Sequence, residues 1–160
     1  MRGDLQPSYE CTSPNVAIYL NVCAKKSYRP WKVWAGRLWA SPNTLLGIAI
    51  GLLNANLPHR HEDRTIDIFL TRGPVHSFCK LLGIHAFTMG DCVLWRLPPT
   101  PYLRLHEERH VLQYHVLGPF FLPLYFALLL TCGYWNHPFE KDARRASQCA
   151  LPPLDFPHQN

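Results

Sequence analysis

The chain carries six cysteines, at 11, 23, 79, 92, 132 and 149, yet no two of them are spaced C-x-x-C. This excludes a thiolate zinc site and a disulfide framework of the kind that staples small secreted domains, and leaves buried free thiols as the expectation. No apolar h-region follows Arg2 and Asp4, so no secretory leader is expected. Acidic residues are few: 11 Asp and Glu stand against 16 Lys and Arg, giving a formal net charge of +5. The basic excess is scattered, with one loose run of Lys25, Lys26, Arg29, Lys32 and Arg37 interleaved with Tyr28, Trp31, Trp34 and Trp39. A basic, tryptophan-rich run before an apolar segment reads as a membrane flank with an interfacial belt. It does not read as a nucleic-acid patch, and no nucleic-acid partner is expected. A length of 160 residues suits one small domain.

Charge is also missing from two long stretches, residues 38–58 and 111–135. In the first, Ser41-Pro42 offers a helix start, serine as N-cap and proline at the first helical position. The stretch is long enough for a membrane helix, although Asn43, Thr44, Asn54 and Asn56 dilute it, and a buried amphipathic helix is the other reading. Around it the signals are weaker. Residues 1–30 lack sustained periodicity apart from a short strand-like Val16–Leu20, and residues 59–64 read as a polar connector. Residues 65–70 alternate as a strand does, 71–74 form a turn, and an apolar patch runs on to Leu82. Ala86–Met89 and Cys92–Trp95 flank Gly90-Asp91 and predict a strand pair, whose edge could hold a peptide by strand addition. Leu97-Pro98-Pro99-Thr100-Pro101 then breaks the chain ahead of a helix beginning near Tyr102.

That helix opens with His106-Glu107-Glu108-Arg109-His110, an H-E-x-x-H sequence. Residues four apart share one face of a helix, so both imidazoles can point at one metal ion. Glu107, one position after the first histidine, can act as general base toward water activated by that metal. The alternative is a solvated polar helix start. The other histidines have no ligand spacing except His59-x-His61, which sits in the polar connector.

Downstream come Gln113-Tyr114, Gly118-Pro119-Phe120-Phe121-Leu122-Pro123-Leu124-Tyr125, and Asn136-His137-Pro138-Phe139-Glu140-Lys141-Asp142-Ala143. Across residues 37–146 the chain resembles a family of small bacterial membrane-associated proteins with the pattern H-E-x-x-H-x-x-Q-Y, G-P-x-F-x-P-x-Y and N-P-F-E-x-(E/D)-A. Two positions depart from it: His137 intervenes between the asparagine and the proline, and Asp91 stands where the family has histidine. The family itself resembles a minimal gluzincin-type zinc metallopeptidase, whose third ligand is a downstream glutamate. The resemblance therefore implies Zn2+ held by His106, His110 and Glu140, with Gln113 and Asp142 as candidate supports behind the ligands. It also implies a peptide or protein substrate and a place in a bacterial inner membrane, integral or monotopic. A non-catalytic membrane protein with a structural or vestigial metal site is the competing reading.

The run 111–135 decides whether Glu140 can reach the histidines. As one straight span of about 20 residues at 1.5 Å each it would carry Glu140 about 30 Å away. Gly118-Pro119 can end the first helix and let a second return from about Phe120 to Trp135, after which Asn136 caps a third helix with Pro138 in its first turn. Tyr114 and Tyr125 are candidates to stabilise an oxyanion. The expected architecture is α+β: a small sheet, the motif helix, an apolar helical hairpin and an N-terminal apolar helix, a minimal zincin-like arrangement. Its divisions are a loosely ordered extension over 1–36, the domain over 37–146, and a proline-rich disordered tail over 147–160.

Overall fold

The computed structural model describes residues 30–61 and 65–150; the segment Val16–Leu20 and the last ten residues lie outside them. Helix α1 (Pro30–Leu53) leads to strand β1 (Pro58–Arg60), strand β2 (Ile66–Phe69) and helix α2 (Pro74–Leu81). Strands β3 (Ala86–Met89) and β4 (Cys92–Trp95) follow, then helix α3 (Pro101–Leu117), a 3-10 turn over Gly118–Phe120, helix α4 (Phe121–Asn136) and helix α5 (Pro138–Ala150). The architecture is α+β, as the sequence implies.

The four strands lie in the order β1-β2-β4-β3, with β2 and β4 parallel and the outer pairs antiparallel. β4 is buried along its whole length. Alternation sends Cys92 and Leu94 into a core shared with Ile68, Leu70, Ile48 of α1 and Val75 of α2. Val93 and Trp95 turn the other way, onto Val111 and Leu103 of α3. A polar clasp joins this second face: Asp67 accepts from Trp95 Nε1 at 2.9 Å and from the Arg104 guanidinium at 2.6 and 3.3 Å. Asp91, one of the two departures from the family pattern, tops the β3–β4 turn. Its carboxylate pairs with His115 of α3 at 2.5 Å, and its N–H donates to Thr44 Oγ1 of α1 at 2.9 Å.

α1 starts eleven residues before the expected Ser41-Pro42 and so crosses the boundary drawn at residue 37. Pro42 sits inside the helix, where its missing N–H would orphan the Leu38 carbonyl. The Ser41 hydroxyl takes that carbonyl instead, at 2.7 Å. One stripe of α1 is buried and made of small or polar residues (Gly36, Ala40, Asn43, Gly47, Gly51), while Trp31, Trp34, Leu38, Leu45 and Leu53 are exposed. A Cβ on Gly47 would lie 2.9 Å from both Cys92 and Met89, so the stripe sets how closely α1 approaches the sheet. α1 is thus a packed helix of the domain. The expected connector at 59–64 begins as β1, a three-residue exposed edge strand too short to leave a pattern. α5 continues to Ala150, past residue 146.

α3 follows its local signals: Thr100 caps it through a bond from the Leu103 N–H, and Pro101 occupies the first turn. It ends at Gly118, whose φ of 55° and ψ of −130° are open to glycine alone among ordinary residues. The carbonyl of Gly118 is held at 2.9 Å by Asn43 Nδ2, 75 residues away. By length and composition Pro101–Asn136 is apolar enough to cross a bilayer, the one such stretch among the described residues. The break at Gly118 divides it, as expected, and a second reversal at Gly133 (φ 68°, ψ 168°) turns the end of α4 back toward the domain. Gly118→Ala combines the forbidden conformation with a Cβ 2.4 Å from Trp39 Nε1. We expect it to cost about 3 kcal/mol, lowering the thermal midpoint by about 6–12 °C in a domain of this size. An unchanged midpoint in a melt followed by circular dichroism would contradict this account of the break.

Candidate metal centre

α3 and α5 run antiparallel, and a polar seam sets their register. The Arg109 guanidinium donates to both oxygens of Asp142 at 2.7 and 3.0 Å. Gln113 Nε2 donates to Asp142 Oδ2 at 2.8 Å and to the Phe139 carbonyl at 3.2 Å. In this register Glu140 faces His106 and His110. All three are buried, and they form a group of possible metal ligands whose donor atoms lie within 4.8 Å of one another.

The distances are more telling than the proximity. His106 Nε2 and His110 Nε2 are 3.2 Å apart, His106 Nε2 is 3.3 Å from Glu140 Oε2, and His110 Nε2 is 3.3 Å from Glu140 Oε1. Donors about 2.0–2.1 Å from a tetrahedral ion lie about 3.3–3.4 Å from one another; the two ring nitrogens stand at that separation, and each faces a different oxygen of the Glu140 carboxylate at the same distance. Glu140 Oε2 is buried, facing His106 Nε2 at 3.3 Å and the Arg144 guanidinium at 3.8 Å, an oxygen turned toward positive charge. Oε1 accepts from the Tyr125 hydroxyl at 2.7 Å, which fixes the carboxylate plane.

The imidazole of His110 is held in the tautomer a metal needs. Gln113 spends its amide N–H groups on two oxygens, so its Oε1 faces His110 Nδ1 at 2.8 Å and accepts from it. The lone pair is thereby left on Nε2, toward His106 and Glu140. Gln113, expected as a support, is one directly, whereas Asp142 acts through Gln113. Burial works against charging His110, but the hydrogen bond the charged ring donates to Glu140, and the nearby Glu107, carry its pKa upward. Burial likewise opposes ionisation of Glu140, and the hydrogen bonds of His106 and His110 outweigh it, holding that carboxyl well below the usual range. The donors thus favour a positive charge among them, and a divalent cation meets that demand for all three. The residues fit Zn2+, and neutral imidazoles with a carboxylate also suit other borderline divalent ions.

Glu107 is buried beside the donors. Burial raises its pKa, opposed by His110 and by a 2.7 Å hydrogen bond from the Thr88 hydroxyl to Oε2. Thr88 lies on β3, at the end of the sheet. Arg96 N–H donates to the His85 carbonyl, which fixes the ladder so that Ala86 and Thr88 turn their backbone groups outward. The Thr88 carbonyl is occupied by the Tyr114 hydroxyl at 3.1 Å. Tyr114 and Tyr125, the candidate oxyanion groups, therefore both spend their hydroxyls on protein oxygens.

Two contributors escape the sequence. Thr88, 19 residues before Glu107 and in another element, leaves no signal. His137 is fully buried and takes the capping place expected of Asn136: its Nδ1 accepts from the Phe139 N–H at 3.2 Å and its Nε2 donates to the Tyr125 carbonyl at 3.0 Å. A histidine at a helix start, rather than one of the usual capping residues, was the only available hint.

Compared with protein-family models, with curated proteins and with solved structures, the chain matches none of them. The site is therefore read from its own geometry. Purified wild type should hold about one zinc per chain, His106→Ala almost none, and Gln113→Ala should bind about 10–100-fold more weakly. Equal zinc affinity in wild type and Gln113→Ala, by competition with a chromogenic chelator, would remove Gln113 from the centre.

Proposed function

We propose that the protein is a membrane-associated, zinc-dependent hydrolase of amide bonds with a minimal zincin-like core, as its resemblance to the small gluzincin-like family implies. The observation that carries the reading is the coincidence of a buried His106–His110–Glu140 group, close enough to share one ion, with a buried carboxylate one residue from the first donor. His106, His110 and Glu140 hold the ion, which when bound supplies a Lewis acid for the carbonyl and lowers the pKa of water toward about 7. Thr88 fixes Oε2 of Glu107, leaving Oε1 to take a proton from the attacking water. The water oxygen bonds to the amide carbon, the C–N bond breaks, and the proton held on Glu107 passes to the departing nitrogen. Free backbone groups of Ala86 on the β3 edge offer places for a substrate strand. The membrane-associated part of the reading is supported by the uncharged, largely exposed apolar surface of α4.

A second reading has its own observation. The three donors are buried, the Thr88 carbonyl is already taken, and the groove of about 350 Å³ lined by Arg109, Gln113, Phe139 and Asp142 does not include the donors. On that reading the metal fastens α5 to α3 and no substrate enters. Glu107→Gln separates the two. It should keep zinc and fold while lowering cleavage of a peptide library about 10²–10⁴-fold, because the amide cannot accept the proton. Wild type that is fully loaded with zinc and cleaves nothing, or a Glu107→Gln protein as active as wild type, would establish the fastening role.

A further inference from the structure

The part of α4 that leaves the domain is apolar and uncovered. Phe126 is 56% exposed and Leu130 88%, and no charged side chain occurs between Phe121 and Asn136. Thr131, a polar residue near the tip, turns its hydroxyl back to the carbonyls of Ala127 and Leu128 at 3.0 and 3.2 Å. The tip therefore presents hydrocarbon to its surroundings. At Gly133 the chain reverses, and the chemistry changes at once. Tyr134 and the 75% exposed Trp135 come next, with the Arg144 guanidinium 5.6 Å from the centre of each ring and donating to the Trp135 carbonyl at 2.8 Å. Lys141 donates to Asn136 Oδ1 at 3.0 Å, and Arg145 is exposed on the same helix. Of the acidic neighbours, Asp142 is committed to Arg109 and Gln113, and Glu140, held by the histidines and Tyr125, also lies 3.8 Å from Arg144, which leaves Lys141 and Arg145 as the cations facing outward. The collar is cationic.

Hydrocarbon, then aromatic rings, then cations is the order of layers met on leaving a bilayer through one leaflet. Seven helical residues from Phe126 to Cys132 rise about 10 Å, which fits within a leaflet of about 15 Å of hydrocarbon and cannot cross about 30 Å. A second copy docked tip to tip would bring two cationic collars together, whereas an anionic lipid surface complements them.

We propose that α4 is a one-leaflet anchor for anionic membranes: Phe126–Cys132 enter the hydrocarbon, and Trp135, Lys141 and Arg145 lie among the headgroups. The inference rests on the membrane-associated reading above and adds the element, its depth and the charge of the lipid. Because Lys141 directly follows Glu140 on α5, the anchor holds the metal donors at headgroup level.

The test is flotation of the full-length protein, exchanged from mild detergent, with vesicles of phosphatidylcholine alone or mixed with phosphatidylglycerol, the zinc content of each sample being measured alongside. Wild type should float with the mixed vesicles. Leu130→Asp should partition at least tenfold less. The pair Lys141→Glu and Arg145→Glu should lose about tenfold or more on mixed vesicles and little on phosphatidylcholine. Zinc should stay at the wild-type level in all of them, showing that the domain is folded. Leu130→Asp floating as well as wild type would overturn the anchor while leaving membrane association through another surface. Undiminished binding of the charge-reversed protein would overturn the anionic collar. A wild type that dimerises and does not float would give the tip to a second copy, and a monomeric one that does not float would reject both the anchor and the membrane reading. Neither of these last results touches the metal centre.

Discussion

The centre depends on how α5 lies along α3. His106 and His110 share a helix face, but Glu140 comes from an element 30 residues further on, and nothing in α3 itself reaches for it. The seam of Arg109, Gln113 and Asp142 decides the alignment. A partly exposed ion pair such as Arg109–Asp142 contributes little to stability, on the order of 1 kcal/mol or less. Its effect is on register: a slip of α5 by one helical turn, about 5.4 Å, would take the carboxylate out of the donor triangle. The same seam orients the His110 ring, because the Gln113 amide that spans the two helices is also the acceptor for Nδ1. Alignment of the helices and preparation of the ligand are one network.

What could be read from the sequence was what is decided locally. Thr100-Pro101 and Gly118-Pro119 mark both ends of α3 through their own backbone preferences, and Gly90-Asp91 marks the β3–β4 turn. Glu140 came through the resemblance, and the geometry brings it to the histidines; the expected return along the whole of 120–135 does not occur, because the chain turns back only at Gly133. Features set by side-chain contacts rather than by backbone preference were not legible. Ser41-Pro42 looks like a helix start, and only the Ser41 bond to the Leu38 carbonyl shows why the helix runs through it. Nor does Gly133 stand out: it reads as one more small residue in an apolar run, although it reverses the chain. Thr88 and Glu107 meet because β3 packs against α3, a pairing that no spacing encodes.

Hydropathy also misdirects about which side of a helix faces in. α1 buries glycine, alanine and asparagine and leaves tryptophan and leucine outside. Small side chains let its backbone approach the sheet closely, so packing density is gained where the sequence looks least hydrophobic. A rule that places the largest apolar residues in the core would have turned this helix around. The burial of polar atoms gives the better guide: Asn43 is inside because it holds the carbonyl that Gly118 turns inward.

The bond between His137 Nε2 and the Tyr125 carbonyl has one more consequence. It closes residues 126–136 into a loop whose two ends touch at 3.0 Å. Tyr125, which orients Glu140, and His137, which starts the helix carrying it, are both at the closure and neither is in the loop. Closing a longer loop costs only about 0.6 kcal/mol for each doubling of length. Residues 134–136 of the loop are tied to α5, but the tip over 126–132 is a cassette: its length and composition can drift while the neck stays fixed, so that a lineage could refit the protein to a new surface without moving a single donor.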